Sequence, residues 1–417
     1  MREKLKSMTA VFYTPLLIYF VFFVIISLVS IASATPVARI QYPDGNFVSR
    51  QVIFFAIGGA VAFIVMLFEI KWARFLRWPA YIILLGLLIF IWFEGESYPC
   101  LSEGFVPCLN GATRWLNFPL FQVQPSEFMR IALILVIADV IQRHNEKFLH
   151  ATRTFKSDFW LIVKCLVVIG PPLYFIYDQP DTGISILILV ATAFMLMTAG
   201  IKWTYIIVVG ALAAVVSVTF IHLVLHAPEV LTDNFDFHAH QFSRIYGWQD
   251  PFSLFAEEGH QLGNGLIAMG RGGLWGNGFS SASHFFPEAH TDFIFAVIGM
   301  DFGLIGTGFV IILSMMFNFA VLNTAILNRD HYNNHVCVGI FASLMAQQFW
   351  NIAMTVGILP ITGVTLPFIS HGGSSVLASM IMLGLVLSSQ VEGLTIKRNT
   401  TIYREDISYL EEKELII

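Results

Sequence analysis

Long apolar runs recur along this chain and are separated by short polar intervals. A helix needs about 20 mostly apolar residues to cross a bilayer. Runs that meet this scale lie near 12–34, 51–67, 79–93, 126–142, 159–176, 183–199, 203–225, 303–326, 336–358 and 374–389. The pattern predicts an all-α, polytopic membrane protein of about ten transmembrane helices. Residues 1–390 form a single transmembrane domain, and residues 391–417 form a polar, loosely ordered tail. The longest interval, 227–291, falls between the seventh and eighth spans. Glycine recurs eight times between Gly259 and Gly278, interleaved with Leu262, Leu266, Ile267, Met269, Leu274, Trp275 and Phe279. A structureless loop of that length is uncommon, so short amphipathic helices on or in the outer leaflet are expected there.

Composition agrees. The chain is 56% hydrophobic and 12% charged, where a soluble domain is about 25% charged. A soluble fold is excluded, and nothing in the chain reads as a nucleic-acid site. The net charge of −5 says less than its distribution. With the N-terminus placed in the cytoplasm, most of the 23 lysines and arginines fall on inside segments. Outside lie Arg39, Arg50, Arg114, Arg244 and Arg271, and within spans lie Arg130 and Lys164. This is the positive-inside asymmetry, and it puts both termini in the cytoplasm and 227–291 outside. Ala32-Ser33-Ala34 resembles a cleavage site, but the apolar run before it is too long for a signal peptide. Cys165 and Cys337 lie in spans. Cys100 and Cys108 share an outside loop where a disulfide can form, and their spacing leaves that open.

Polar residues in so apolar a chain stand out. Pro287–Asp292, PEAHTD, ends the long loop just before an apolar run. A carboxylate at the rim of a hydrocarbon-clad cavity is costly unless paired or used. Glu288, His290 and Asp292 point the same way if this stretch is extended. Alternatively, Asp292 is the cap of the next helix. Three outside helix starts carry capping residues beside Pro or Gly: Gln124-Pro125-Ser126-Glu127, Gln179-Pro180-Asp181-Thr182-Gly183 and His371-Gly372-Gly373-Ser374-Ser375. Their free amides suit an anion such as phosphate, and ordinary capping explains any one of them. Arg130 lies about 6 Å below Ser126 along the helix. It either pairs with Glu127 three residues earlier or faces a cavity that receives phosphate. Arg114, Arg244 and Arg271 are further candidates for phosphate, with lipid headgroups or loop carboxylates as the alternative. Lys164 is explained by snorkelling.

These motifs together resemble the shape, elongation, division and sporulation family, FtsW/RodA/SpoVE. The resemblance is carried by Arg50-Gln51, by GATRWLNFPLFQVQPSE (Gly111–Glu127) and by QPDTGIS (Gln179–Ser185). It continues through GLIAMGRGGLWGNGF (Gly265–Phe279), PEAHTDFIFAVIG (Pro287–Gly299) and LPITGVTLPFISHGGSS (Leu359–Ser375). It implies a ten-span peptidoglycan glycosyltransferase that polymerises lipid II on the outer membrane face, in cell division or cell elongation. Asp292 matches the family's catalytic acid, and Arg114 matches the arginine of its RW motif. A class B penicillin-binding protein is the implied partner. The chain departs from the pattern at Arg130, where the family has Lys. It also reads Gly299-Met300-Asp301-Phe302-Gly303 in place of a GEELG-like motif, and His371 in place of Tyr.

The chemistry expected is an inverting displacement on undecaprenyl-diphosphate-linked glycan. Asp292, ionised at an ordinary carboxylate pKa of about 3.9, takes the acceptor proton, with Glu288 and His290 shaping its field. Arg114, Arg130, Arg244 and Arg271, with Ser126, Ser374 and Ser375 at helix starts, are expected around the diphosphates. Mg2+ or Mn2+ would bridge those diphosphates if a metal is used, although no dedicated carboxylate cluster is evident. A lipid II flippase, or a non-catalytic activator of a transpeptidase, is the competing expectation.

Overall fold

Backbone amides placed in hydrocarbon must bond within their own segment, so the apolar runs become helices. The computed structural model describes residues 15–97, 104–108, 112–118, 122–148, 154–230, 242–255, 259–281, 287–328 and 330–414. In chain order these form α1 (Pro15–Gln41), α2 (Phe47–Leu67), α3 (Ile70–Ser97) and a two-stranded antiparallel hairpin, β1 (Leu116–Asn117) and β2 (Gln122–Val123). Then come α4 (Pro125–Glu146), α5 (Phe155–Asp178), α6 (Thr182–Thr198) and α7 (Trp203–His226). The large loop carries α8 (Ser243–Gln249) and α9 (His260–Gly272), and α10 (Ile294–Leu327), α11 (His331–Thr355) and α12 (Gly373–Glu414) complete the chain. Among the described residues, eight helices are long and apolar enough to cross a bilayer: α1, α2, α3, α5, α7, α10, α11 and α12. The other two expected spans are α4, which carries several charges, and α6, an apolar helix of 17 residues.

Helices α4 and α11 occupy the centre of the bundle. Most of their residues are buried. Around them α2 packs on α12, α10 on α1 and α11, and α3 on α4. At the opposite extreme, α7 buries only Val224 and exposes Ile207, Leu212 and Val218 to the lipid side.

Several boundaries differ from the sequence reading. Helix α3 starts at Ile70, so Pro79 lies inside it. Its early turn is held because Arg74 and Arg77 reach the buried carboxylate of Asp139 on α4, which also pairs with Arg143. The eighth span begins at Ile294, ahead of Gly303, which is a break within α10 at φ 63°. The glycine-rich loop closes this break. Leu304 N donates to Gly273 O and Gly278 N to Asp301 O. At Gly276 a Cβ would fall 2.0 Å from Asp301 O, so only glycine lets the loop approach. Helix α9 packs its buried face against α10, so it belongs to the bundle instead of lying on the outer leaflet. The expected loose tail is helical through Glu414: no proline interrupts it, and a packed helix propagates easily into helix-forming residues.

One non-helical stretch crosses the interior. Residues 356–372, which include LPITGVTLPFISHG (Leu359–Gly372), lie between α11 and α12. Irregular backbone at this depth is tolerated only where protein satisfies its amides and carbonyls. Asn351 donates to Val364 O, Gln347 to Thr365 O, Ser27 to Ile369 O and Gln51 to Ser370 O. This belt forms one wall of the candidate site.

Candidate active site

The PEAHTD segment is not extended. Residues 287–293 form a turn in which Glu288 takes a left-handed conformation, φ 55°. Thr291 N and Phe293 N both donate to Glu288 O. A non-glycine residue held there stores roughly 1–2 kcal/mol of strain. The cap of α10 is Phe293, so Asp292 is not a capping residue. The turn also parts His290 from Glu288 and Asp292, with which the extended reading aligned it.

Asp292 is 7% exposed. Its main-chain oxygen accepts from Asn351 Nδ2 at 2.7 Å. A Cβ built on Gly363 would lie 4.0 Å from Asp292 Oδ2, so the carboxyl faces the non-helical belt. Burial, then the Glu288 carboxylate, pushes its pKa up to about 7, while the Thr291 hydroxyl and Gln261 amide pull it down. Gln261 reaches it from α9, outside ideal hydrogen-bond geometry. The expectation of an ordinary carboxylate pKa is therefore corrected. Thr291 Oγ1 lies 2.5 Å from Glu288 Oε2 and 3.2 Å from Asp292 Oδ1.

His290 turns away from this group. Its ring sits 4.4 Å from Phe47, 6.0 Å from Tyr42 and 5.6 Å from His371, centroid to centroid. Its carbonyl accepts from His371 N. Burial lowers its pKa. Burial, then repulsion from His290 and Arg50, brings His371 down to about 3. Burial disfavours the charged form of both imidazoles, which suits their tilted packing against each other. His290 is thus a packing residue that fixes the turn.

A second cluster lies beside Asp292. Gly183 at the start of α6 packs so tightly on the belt that a Cβ would meet Val364 Cγ2 at 2.4 Å. This contact carries Asp181 to the site. Its Oδ2 accepts from Ser126 Oγ at 2.8 Å and Gln124 Nε2 at 2.7 Å, and its Oδ1 lies 3.7 Å from Arg114 Nη1. Arg114 stacks on Trp115 at 4.4 Å. Arg244, on α8, keeps an exposed surface, and the crowding around it still lowers its pKa. Desolvation is the first cause and the Arg114 cation the second, while the Asp292 and Asp181 carboxylates act the other way. Two guanidinium cations are therefore held within repulsive range of each other beside the carboxyl. An anion between them would relieve that repulsion.

Four other expected ligands are placed elsewhere or already engaged. Arg130 is fully buried, with Nη1 donating to Gln347 Oε1 at 2.7 Å and Nη2 to Glu127 Oε2 at 2.8 Å. It ties α4 to α11 and does not face a cavity. Arg271 ends α9, ten residues beyond Gln261, and so sits about 15 Å from the end of α9 that meets Asp292. Ser126 gives its only proton to Asp181. Ser374 gives its proton to Gln122 O and accepts from Gln124 N, which ties the hairpin to α12. A hydroxyl so engaged has no proton for a phosphate oxygen. Ser375 lies over Gly372, where a Cβ would come within 2.6 Å of its Oγ, and it remains a candidate ligand.

The motif departures acquire reasons. Asp301 accepts from Ser33 Oγ and from Ser281 N and Oγ, so this single acid anchors the glycine-rich loop to α1 and α10. Asp181, Gln261, Thr291 and Asn351 were not among the sequence candidates. Asp181 stands in a quoted helix start, where capping explained it, and the neutral amides and hydroxyl of the other three carry no sign of their partners. Cys108 is disulfide-bonded, and its expected partner, Cys100, lies outside the described residues. Among the described residues no group of three or more His, Cys, Asp or Glu converges to hold a metal ion.

Comparison with known proteins shows the family and the fold. Residues 11–393 match the FtsW/RodA/SpoVE family, described as "Cell cycle protein". The chain is 28% identical over 386 residues to a probable peptidoglycan glycosyltransferase FtsW of Thiomicrospira cyclica, with 89% of each chain covered. It is 30% identical to the protein of the same name from Aliivibrio salmonicida, covering 86% of this chain and 84% of that one. Its fold resembles a chain from a study titled "Structural coordination of polymerization and crosslinking by a peptidoglycan synthase complex" (TM-score 0.71, 22% identity, 91% of this chain and 97% of that one). It also resembles the rod shape determining protein RodA of Thermus thermophilus (TM-score 0.60, 22% identity, 90% and 95% covered). From the buried central helices to the belt that faces Asp292, this chain is a polytopic membrane protein of the FtsW/RodA/SpoVE family.

Proposed function

We propose that the protein is a peptidoglycan glycosyltransferase that polymerises lipid II into glycan strands, with Asp292 as general base. One observation carries this reading. A buried carboxyl with a pKa pushed up to about 7 lies beside two crowded cations, Arg244 and Arg114. The names of the relatives support the substrate class.

The donor is a glycan on undecaprenyl diphosphate, and the acceptor is the 4-hydroxyl of the GlcNAc of lipid II. The acceptor O–H breaks as the new O–C1 bond forms and the C1–O bond to the diphosphate opens. The diphosphate leaves with the electron pair, and one displacement inverts the sugar carbon. The leaving group is good once its charge is balanced, so it needs no acid. Arg114 and Arg244 supply that balance, in a cleft where each charge acts more strongly than in water. The acceptor is a poor nucleophile and needs a base. A base with pKa near the working pH combines availability with proton affinity, and such catalysis contributes about 10²–10⁴-fold. Arg130 and Arg271 take no part in this mechanism.

The charge distribution supports cytoplasmic termini, an outside active site and substrate tails held in the bilayer. A class B penicillin-binding protein that crosslinks the product is the partner we propose. Purified protein in detergent with labelled lipid II provides the test. Wild type should make glycan with no membrane to cross, and Asp292→Asn should make none while staying folded. A flippase would yield no polymer in that assay. Full activity in Asp292→Asn would remove the base assignment.

A further inference from the structure

Thr291 holds one hydroxyl among three oxygens. Glu288 Oε2 lies at 2.5 Å, Glu288 O at 3.2 Å and Asp292 Oδ1 at 3.2 Å. A hydroxyl has one proton and two lone pairs. The shortest contact takes the proton, so Thr291 donates to Glu288 Oε2. Its contact with Asp292 Oδ1 is then filled only when Asp292 is the donor, that is, when Asp292 is protonated. The 3.2 Å separation is long for such a bond, as catalytic contacts often are before substrate arrives. Asp292 is 7% exposed, whereas Glu288 is half-buried at the outer side of the same turn. The strained conformation of Glu288, φ 55°, brings its carboxylate back over Thr291.

We propose that Thr291 is a proton relay that empties the base after each sugar transfer, with Glu288 as the exit to water. The inference rests on the assignment of Asp292 as base. When the acceptor hydroxyl gives its proton to Asp292, lipid-linked glycan fills the cleft and water has no direct path in. The proton on Asp292 Oδ1 passes to Thr291 Oγ1 as the proton of Thr291 passes to Glu288 Oε2. Thr291 ends neutral, Asp292 ends as carboxylate and Glu288 as acid, which then releases its proton to solvent. The charged and titratable groups around this line are few. Asp292 is faced by Glu288 and Arg244, with Arg114 and Asp181 beyond, and Glu288 by Tyr42 and His290.

The test is lipid II polymerisation by the full chain across pH, in Thr291→Val, Thr291→Ser, Glu288→Gln and the double variant Thr291→Val/Glu288→Gln. Thr291→Val keeps the shape and removes the hydroxyl. It should lower the plateau rate about 10²-fold, and Thr291→Ser should recover most of it. Glu288→Gln should lower the plateau by a similar factor, and the double variant should be no worse than either single. Glu288→Gln loses a repelling charge, so its pH limb should move down. The proton inventory in mixed H2O and D2O should be bowed in wild type and straight in Thr291→Val. If Thr291→Val fails to fold, the Glu288→Gln plateau and the wild-type inventory decide alone. Wild-type plateau and inventory in Thr291→Val, or additive losses in the double variant, would overturn the relay. If Asp292→Asn is active the base assignment itself fails. If Asp292→Asn is dead and Thr291→Val behaves as wild type, only the relay fails.

Discussion

Asn351 Nδ2 holds Asp292 by its main-chain oxygen at 2.7 Å, and donates to Val364 O at the same distance. One buried amide on α11 thus fixes the carboxyl-bearing turn to the belt that the carboxyl faces. Removing a donor from buried carbonyls costs about 1–3 kcal/mol for each group left unsatisfied. Asn351→Leu is expected to lower the melting temperature in detergent and to reduce glycan synthesis at least tenfold even where the protein stays folded. Normal turnover in a folded Asn351→Leu protein would show that the turn holds its position without this residue.

The pKa of Asp292 sets the pH response. The base works ionised, so kcat should rise with pH and level off above about 7. The stability response has the opposite sign. The folded pKa is about 7 and the unfolded one is about 4, so the folded protein binds the extra proton between them. The stability contributed by Asp292 is full below about pH 4 and is lost as pH rises through about 7. Asp292→Asn should therefore melt above wild type at pH 8, with a smaller gap at pH 5. Thermal unfolding at the two pH values checks this.

Arg114 and Arg244 are expected to act on substrate affinity. Arg114→Ala and Arg244→Ala should each raise the KM for lipid II, and Arg114→Lys should restore little, because the stacking on Trp115 and the forked geometry belong to arginine. Added salt should weaken wild-type binding more than that of either variant. Unchanged KM in both alanine variants would remove the diphosphate assignment.

Arg130 should behave as a structural residue. Arg130→Met leaves Glu127 buried without its cation, a loss of about 3–5 kcal/mol for such pairs. Adding Glu127→Gln should recover part of the melting temperature. Restored stability together with normal KM in the double variant would confirm that Arg130 does not bind substrate.

Gly276 tests the closure of the α10 break. It has φ 80°, and a Cβ would collide with Asp301 O at 2.0 Å. Gly276→Ala should expose the loop to limited proteolysis and lower expression, whereas Gly270→Ala, on α9 with open space at its Cβ, should be tolerated.

The pattern of apolar and polar positions was enough for the membrane class and the helical architecture, and it pointed to the segments proposed to carry chemistry. Apolar runs of bilayer length have one structural solution in lipid, and the charge asymmetry along them carries the proposed orientation. Asp292, Glu288 and Arg114 were legible because charged groups are rare here and each must be accounted for. How those side chains are placed depended on contacts distant in the chain. The turn at Glu288 sent His290 into an aromatic cluster, and long-range contacts spent Arg130, Ser126 and Ser374 on holding the bundle. Asp181, Thr291 and Asn351 emerged only with their partners in place. A neutral or capping residue takes its meaning from a neighbour tens or hundreds of positions away, and periodicity along one chain carries no record of that distance.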